Sequence, residues 1–212
     1  RVNVNTGKME MIAENPGNIS GWLTDHDGKL RIAVTSDGVN TSLLYRDSED
    51  EEFRTIVTTN FKEGFSPQFF TFDNKNIIGT SNLGRDKSVV VEFDPSTGRE
   101  VKELYGNDDY DVGGVGYSRK RKVITAAYYN SWKSERHFFD STSQAIYEKI
   151  KNHLPGYEIG VSGMNDEEDI FIIRTYSDKS LGAYFIYSLA DDKMDKIVEV
   201  SPWIDENEMS NQ

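Results

Sequence analysis

A serine on a sharp, glycine-flanked elbow, G-x-S-x-G, is the arrangement that makes a hydroxyl into a hydrolase nucleophile. Two stretches approach it. Gly160-Val161-Ser162-Gly163-Met164 and Gly116-Tyr117-Ser118-Arg119-Lys120 both lack the final glycine. Small residues on an inner strand account for both better than an elbow does. A triad or a metal site would also need well-placed histidines. His26 falls in a predicted turn, His137 at the start of a strand and His153 near the end of another. The repeat puts them at different places on two of its units, so neither arrangement is expected. The chain has no cysteine, which removes disulfides, thiolate nucleophiles and zinc-thiolate sites. No catalytic residue, metal or cofactor is expected.

Carboxylates could do chemistry instead. Residues 107–114, Asn-Asp-Asp-Tyr-Asp-Val-Gly-Gly, have the look of a calcium loop, but the EF-hand register wants glycine at position six and glutamate at twelve. Those positions hold Val112 and Ser118, and a connector between repeats explains the stretch. The runs at 47–52 (DSEDEE) and 165–169 (NDEED) read as solvated hairpin turns, able to hold cations only weakly. Asp25-His26-Asp27-Gly28 would suit a catalytic pair, but its counterparts in the other repeats carry different residues. The lone basic run, Ser118 to Lys122, reads as an exposed turn. The formal net charge is −12 and the pI about 4.7, so no nucleic-acid partner is expected. No apolar run reaches 18 residues, so no membrane span is expected. A soluble protein of cytoplasm or periplasm fits, the compartment being open. The chain begins at Arg1, without an initiator Met or a visible signal peptide, and a natural start further upstream is expected.

The elements that would position any site are strands. Val89 to Phe93 is β-branched and aromatic, Asp94 to Gly98 is turn chemistry, and Val101 to Tyr105 alternates apolar with charged. This hairpin recurs. The polar residues opening its turns are Asn5, Asp47, Asp94, Asp140 and Ser188, at steps of 42, 47, 46 and 48. A second series of tight turns is centred on Asp27, Asn74, Lys120 and Glu167, at steps of 47, 46 and 47. Each unit thus has four strands, a to d. Strand a is small and glycine-bearing, b and c are the most apolar, and d alternates. Such a unit cannot bury both faces alone, so stacking around an axis is expected.

The fold expected is therefore all-β, a partial β-propeller of about four four-stranded antiparallel blades at 17–60, 61–107, 108–154 and 155–203. Residues 1–16 would add the two outer strands of an earlier blade, and 204–212 a tail. The stretch 144–154 spaces Ile146, Ile150 and Leu154 every four residues, so a helical turn inserted at strand d of the third blade is the alternative there. The b–c corners end in Ser36, Ser81 and Ser177, able to cap loose amides. Arg85, Asp86, Trp132, Asp178 and Lys179 at these corners are candidates for contacting a partner or substrate.

The stretches "TSDGVNTSLLYRD", "FSPQFFTFDNKN", "SNLGRDKSVVVEFDPSTG", "VGGVGYSRKRKVITAAYY", "RTYSDKSLGAYFIY" and "EVSPWI" resemble the propeller of bacterial serine peptidases of the prolyl oligopeptidase family, in the acylaminoacyl-peptidase or dipeptidyl-aminopeptidase-like branch. The resemblance covers essentially the whole chain. It implies a following α/β-hydrolase domain in the same polypeptide, absent here, which the propeller caps while gating entry of short peptides. No position matches that family's triad, so this chain alone is not expected to be an enzyme. The alternative is a free-standing propeller that binds a protein or ligand. Self-association through open blade faces is a further expectation.

Overall fold

The computed structural model describes residues 1–210, in two compact units. Unit 1 is Arg1–Val115 with Ala127–Lys133, and unit 2 is Gly116–Ala126 with the chain from Ser134 onward. The first sheet runs β1 (Ile19–Thr24), β2 (Leu30–Ser36), β3 (Thr41–Tyr45), β4 (Arg54–Thr59), in that order and antiparallel throughout. The second repeats it with β5 (Phe65–Phe70), β6 (Ile77–Ser81), β7 (Val89–Asp94) and β8 (Arg99–Tyr105). The third contains β9 (Val112–Ser118), β10 (Val123–Asn130) and β11 (Ser134–Phe138), followed by the helix α1 (Ser141–His153). The fourth is β12 (Glu158–Met164), β13 (Ile170–Tyr176), β14 (Ala183–Ser188) and β15 (Lys193–Glu199). Four consecutive meanders of this kind are propeller blades.

Burial follows the strand types. Every residue of β6 is buried, as are Val89, Val90, Val91 and Phe93 of β7. These are middle strands, apolar on both faces. The outer strand β15 leaves six of its seven residues exposed. The core of unit 1 joins Ile32, Leu43 and Tyr45 of the first sheet to Phe65, Phe70, Ile77, Val91 and Phe93 of the second. Phe65 and Phe93 stack at 4.3 Å. Each such side chain, fully buried, contributes about 1.5–3 kcal/mol. Inner strands of different sheets are tied without merging: the Val115 amide donates to Gln68 Oε1 at 2.9 Å, while β5 and β9 stay in separate sheets.

The turn centres legible in the sequence meet one another. In unit 1, Asn74 Nδ2 donates to Asp27 Oδ2 at 2.9 Å, and the His26 amide donates to Asn74 Oδ1 at 3.0 Å. In unit 2, Lys120 Nζ pairs with Glu167 at 2.9 Å, while Ser118 Oγ and the Lys120 amide donate to Glu168. The basic turn and the 165–169 turn are therefore each other's partners, a correction to their reading as freely solvated loops. His26 is half-buried, not an exposed turn histidine; it stacks on Phe72 at 5.0 Å and lies 2.7 Å from the Phe70 carbonyl. These turns close with left-handed residues, Gly28, Asn74, Lys122 and Glu168. Only the glycine adopts that conformation without steric cost.

The residues that open the c–d turns are caps. Asp47 accepts from the Tyr45 hydroxyl and pairs with Arg54; Asp94 accepts from the Ser96 amide and hydroxyl. Asp140 accepts from the Ser143 amide at 2.8 Å and pairs with Arg121. At Asp140 the cap starts α1, so the third blade has a helix where a fourth strand was expected. The physical reason is in the sequence. Ile146, Ile150 and Leu154 share a helix face, and within unit 2 they pack with Ile159, Phe171, Ile173 and Tyr187. Lys151 and His153 in the last turn suit the negative end of the helix dipole.

The N-terminal pair of strands is reduced. Residues 1–16 hold a single antiparallel bridge, Val2 to Met9. Its turn opens at Asn3, whose Oδ1 accepts the Asn5 and Thr6 amides, and not at Asn5. Val4 sits within the turn and is exposed.

Two outcomes are expected from the turns. Asp47, Asp94 and Asp140 all have carboxyl pKa values below the ordinary range. The Tyr45 hydroxyl is the main cause at Asp47 and the Ser96 hydroxyl at Asp94. At Asp140 burial opposes the shift, and Arg121 with Ser143 outweighs it. A lowered folded pKa stabilises above the unfolded value, and the gain is lost as pH falls through the folded one. Denaturant midpoints should therefore fall progressively below about pH 5, and Asp140→Ala, costing about 1 kcal/mol as a lost cap, should flatten that fall. Gly98 has φ +68°, and an added Cβ would stand 2.5 Å from the Ile56 carbonyl oxygen. Gly98→Ala should cost about 2 kcal/mol or more by urea denaturation, whereas Lys122→Gly should gain up to about 1 kcal/mol.

Candidate functional site

The ends of the meanders where b turns into c, and where d passes to the next a, are stitched together by backbone and side-chain hydrogen bonds. In the second blade the Asn82 amide donates to the Gly64 carbonyl, Asn82 Oδ1 accepts the Gly64 amide at 2.7 Å, and Asn82 Nδ2 reaches the Lys62 carbonyl. At the following connector the Ser88 amide donates to Asp111 Oδ1 at 2.7 Å, and the Val112 amide returns to the Ser88 carbonyl. In unit 2 the Val200 amide donates to the Gly182 carbonyl, and Tyr157 OH to Glu206 at 2.8 Å. The Ser180 hydroxyl and then the Tyr157 hydroxyl hold the Glu206 carboxyl below the usual range. These corners are held by hydrogen bonds on both sides of the chain reversal.

Short side chains cap the corners that the sequence marks with serine. Ser36 Oγ accepts the Gly38 amide, Ser81 Oγ the Leu83 amide and Ser177 Oγ the Lys179 amide. Asp37 accepts the Asn40 and Val39 amides and the Asn40 side chain. The Asn40 amide is the largest cause of a carboxyl pKa lowered to about 2.

These corners display apolar side chains. In unit 1, Phe61 is 81% and Trp132 85% exposed, and Val39 stands out at its corner; in unit 2, Leu181 does. Lys133 Nζ lies 4.2 Å from the centre of the Trp132 ring. A cleft of about 580 Å³ between the first two sheets is lined by Trp22, Val34, Phe61, Pro67, Thr80 and Asn82 among others.

The five sequence-derived candidates divide by what holds them. Arg85 is committed inward, its fork gripping Glu100 at 2.6 and 3.3 Å, with Ser81 Oγ donating to the same carboxylate. Glu100, on the outer strand β8, escaped sequence reasoning because its alternating pattern shows only charge. Asp86 projects outward beside Lys87 at 3.2 Å. Trp132 projects into solvent from the corner after β10. These three lie in unit 1. Asp178, exposed, and Lys179, half-buried, lie in unit 2. The serines of the near-miss elbows have structural bonds: Ser162 Oγ donates to the Ile172 carbonyl and Ser118 Oγ to Glu168. His137 lies in β11, edge-on to Phe139, and His153 ends α1, 3.0 Å from Asp192. Among the described residues no group of three or more His, Asp or Glu side chains could hold a metal ion.

No family model matches the chain. Dipeptidyl aminopeptidase BIII of Pseudoxanthomonas mexicana is 22% identical over 211 residues, 95% of this chain and 29% of that protein. A solved prolyl endopeptidase superposes at a TM-score of 0.57 with 14% identity, over 89% of this chain and 28% of its own. This chain is a β-propeller similar to those of prolyl oligopeptidase-type serine peptidases. The β-propeller domain of the Trilobed protease from Pyrococcus furiosus aligns more loosely, at 0.47 and 11% identity over 86% of this chain and 71% of its own. The propeller here spans 29% of the length of the dipeptidyl aminopeptidase it matches.

Arg85 and Trp132 should separate cleanly on substitution. Arg85→Ala strands Glu100 and should lower stability by about 1.5–3 kcal/mol, the worth of charge-assisted hydrogen bonds. Trp132→Ala should change it by no more than about 0.5 kcal/mol, as surface substitutions do. Paired urea denaturation curves measure both.

Proposed function

We propose that this chain is the non-catalytic propeller of a prolyl oligopeptidase-family serine peptidase. In this reading it caps an α/β-hydrolase domain of the same polypeptide and admits short peptides while excluding folded ones. The observation that carries the reading is the 22% identity to dipeptidyl aminopeptidase BIII, over 95% of the chain. The corner geometry supports it. The exposed Phe61 and Trp132 side chains offer apolar area to a neighbouring domain, worth roughly 25 cal/mol for each Å² covered. In this reading Asp86 and Trp132 of unit 1 and, separately, Asp178 and Lys179 of unit 2 are candidates for touching such a domain or an entering peptide, and Arg85 holds the corner that carries Asp86. A cap of this kind acts by exclusion. In this reading a folded protein is too wide for the entrance, whereas an extended peptide needs only the width of one strand.

The test uses the complete polypeptide and a fluorophosphonate probe. Stoichiometric labelling is expected downstream of residue 212, at a serine in a G-x-S-x-G sequence. Labelling of a serine within residues 1–212 would overturn the reading. A downstream region with no such serine would instead favour the free-standing binding scaffold. Phe61→Ala and Trp132→Ala together should raise cleavage of long peptides relative to dipeptide-sized substrates.

A further inference from the structure

The connector into the third blade builds a recess that the capping role does not use. Strand β9 opens with Val112, Gly113 and Gly114, and the two glycines, lacking side chains, leave a space of about 550 Å³ beside the connector and the end of β10. Asp109, Tyr110, Asp111, Gly113, Tyr128 and Tyr129 line it. Tyr110 and Tyr128 are each 39% exposed. Tyr129 backs Tyr110, ring centroids 6.1 Å apart and planes 19° from parallel, and Tyr105 stands 6.4 Å behind Tyr129. Asn107 Oδ1 accepts the amides of Asp109 and Tyr110 at 2.9 and 3.0 Å, which sets the connector's path. The lining has two carboxylates and no basic side chain.

We propose that this recess binds an organic cation, the guanidinium or alkylammonium head of an arginine or lysine side chain. Tyrosine faces attract a cation through the ring quadrupole, and a flat guanidinium also stacks on them. Asp109 and Asp111 add the opposite charge at the mouth. The glycines are what leave the space: an added Cβ at Gly113 would meet only the Tyr128 carbonyl oxygen, at 3.9 Å. The inference concerns the chain itself and does not rest on the peptidase reading.

The test is an amide-resolved NMR titration of the full 212-residue chain with Nα-acetyl-arginine methylamide, against its neutral citrulline counterpart. Saturable shifts centred on Gly113, Gly114 and Asn130 are expected with arginine and none with citrulline. Tyr128→Leu should weaken binding about threefold, the scale of one exposed cation–π contact. Gly113→Val should abolish it by filling the recess, with an unchanged melting curve as control. Asp109→Asn, at an exposed position, should weaken binding and reduce its sensitivity to salt. Equal shifts from citrulline, arginine shifts that persist in Gly113→Val, the same shifts from calcium ion, or no saturable shift at tens of millimolar would each overturn the proposal.

Discussion

The structure depends on one constraint: a meander whose middle strands are apolar on both faces must be covered on both. β6 is buried along its whole length and β7 nearly so, which no isolated four-stranded sheet could achieve. The two sheets of unit 1 meet this by sharing a core, with Phe65 of one strand stacked on Phe93 of another and Ile32, Leu43 and Tyr45 against them. Close approach then dictates where side chains are impossible. At Gly98 an extra carbon would collide with the neighbouring strand's Ile56 carbonyl, and at Gly182 with that of Thr175. The first glycine is a consequence of stacking between sheets, the second of the tight turn inside its own hairpin.

With cores settled by burial, polar groups decide the ends. Neighbouring a–b turns are joined by charges or amides in each unit: Asn74 to Asp27 in one, Lys120 and Ser118 to the 167–168 carboxylates in the other. The same position in the repeat is thus filled by unlike residues that do the same work. At the c–d corners one device, a carboxylate accepting loose amides, closes a hairpin at Asp94 and starts a helix at Asp140. The spacing of apolar residues after the cap, alternating in one case and every four in the other, selects between them. The b–c corners, tied by Asn82 and by Gly182 to the neighbouring chain, are then left to display what they carry. Trp132 and the Tyr110–Tyr128 recess are part of that display.

Much of this was legible in the sequence. Two independent turn series with a period in the forties marked out the four meanders, because turn residues are chosen by local backbone geometry that any repeat must satisfy. Ser36, Ser81 and Ser177 were recognisable as caps for the same local reason. The helix was visible only as an alternative, since Ile146, Ile150 and Leu154 fit a helix face while the period of the repeat demanded a strand. What the sequence could not settle was which partner each charged group takes. Arg85 reads as a surface arginine until Glu100 on β8 closes on it. The Ser118–Lys122 run reads as solvated until the 165–169 turn arrives beside it. Those pairings, and the recess left by two glycines next to Tyr110 and Tyr128, join residues distant along the chain. Only the folded packing brings them together, because a charge or a ring carries no local mark of the neighbour it will meet.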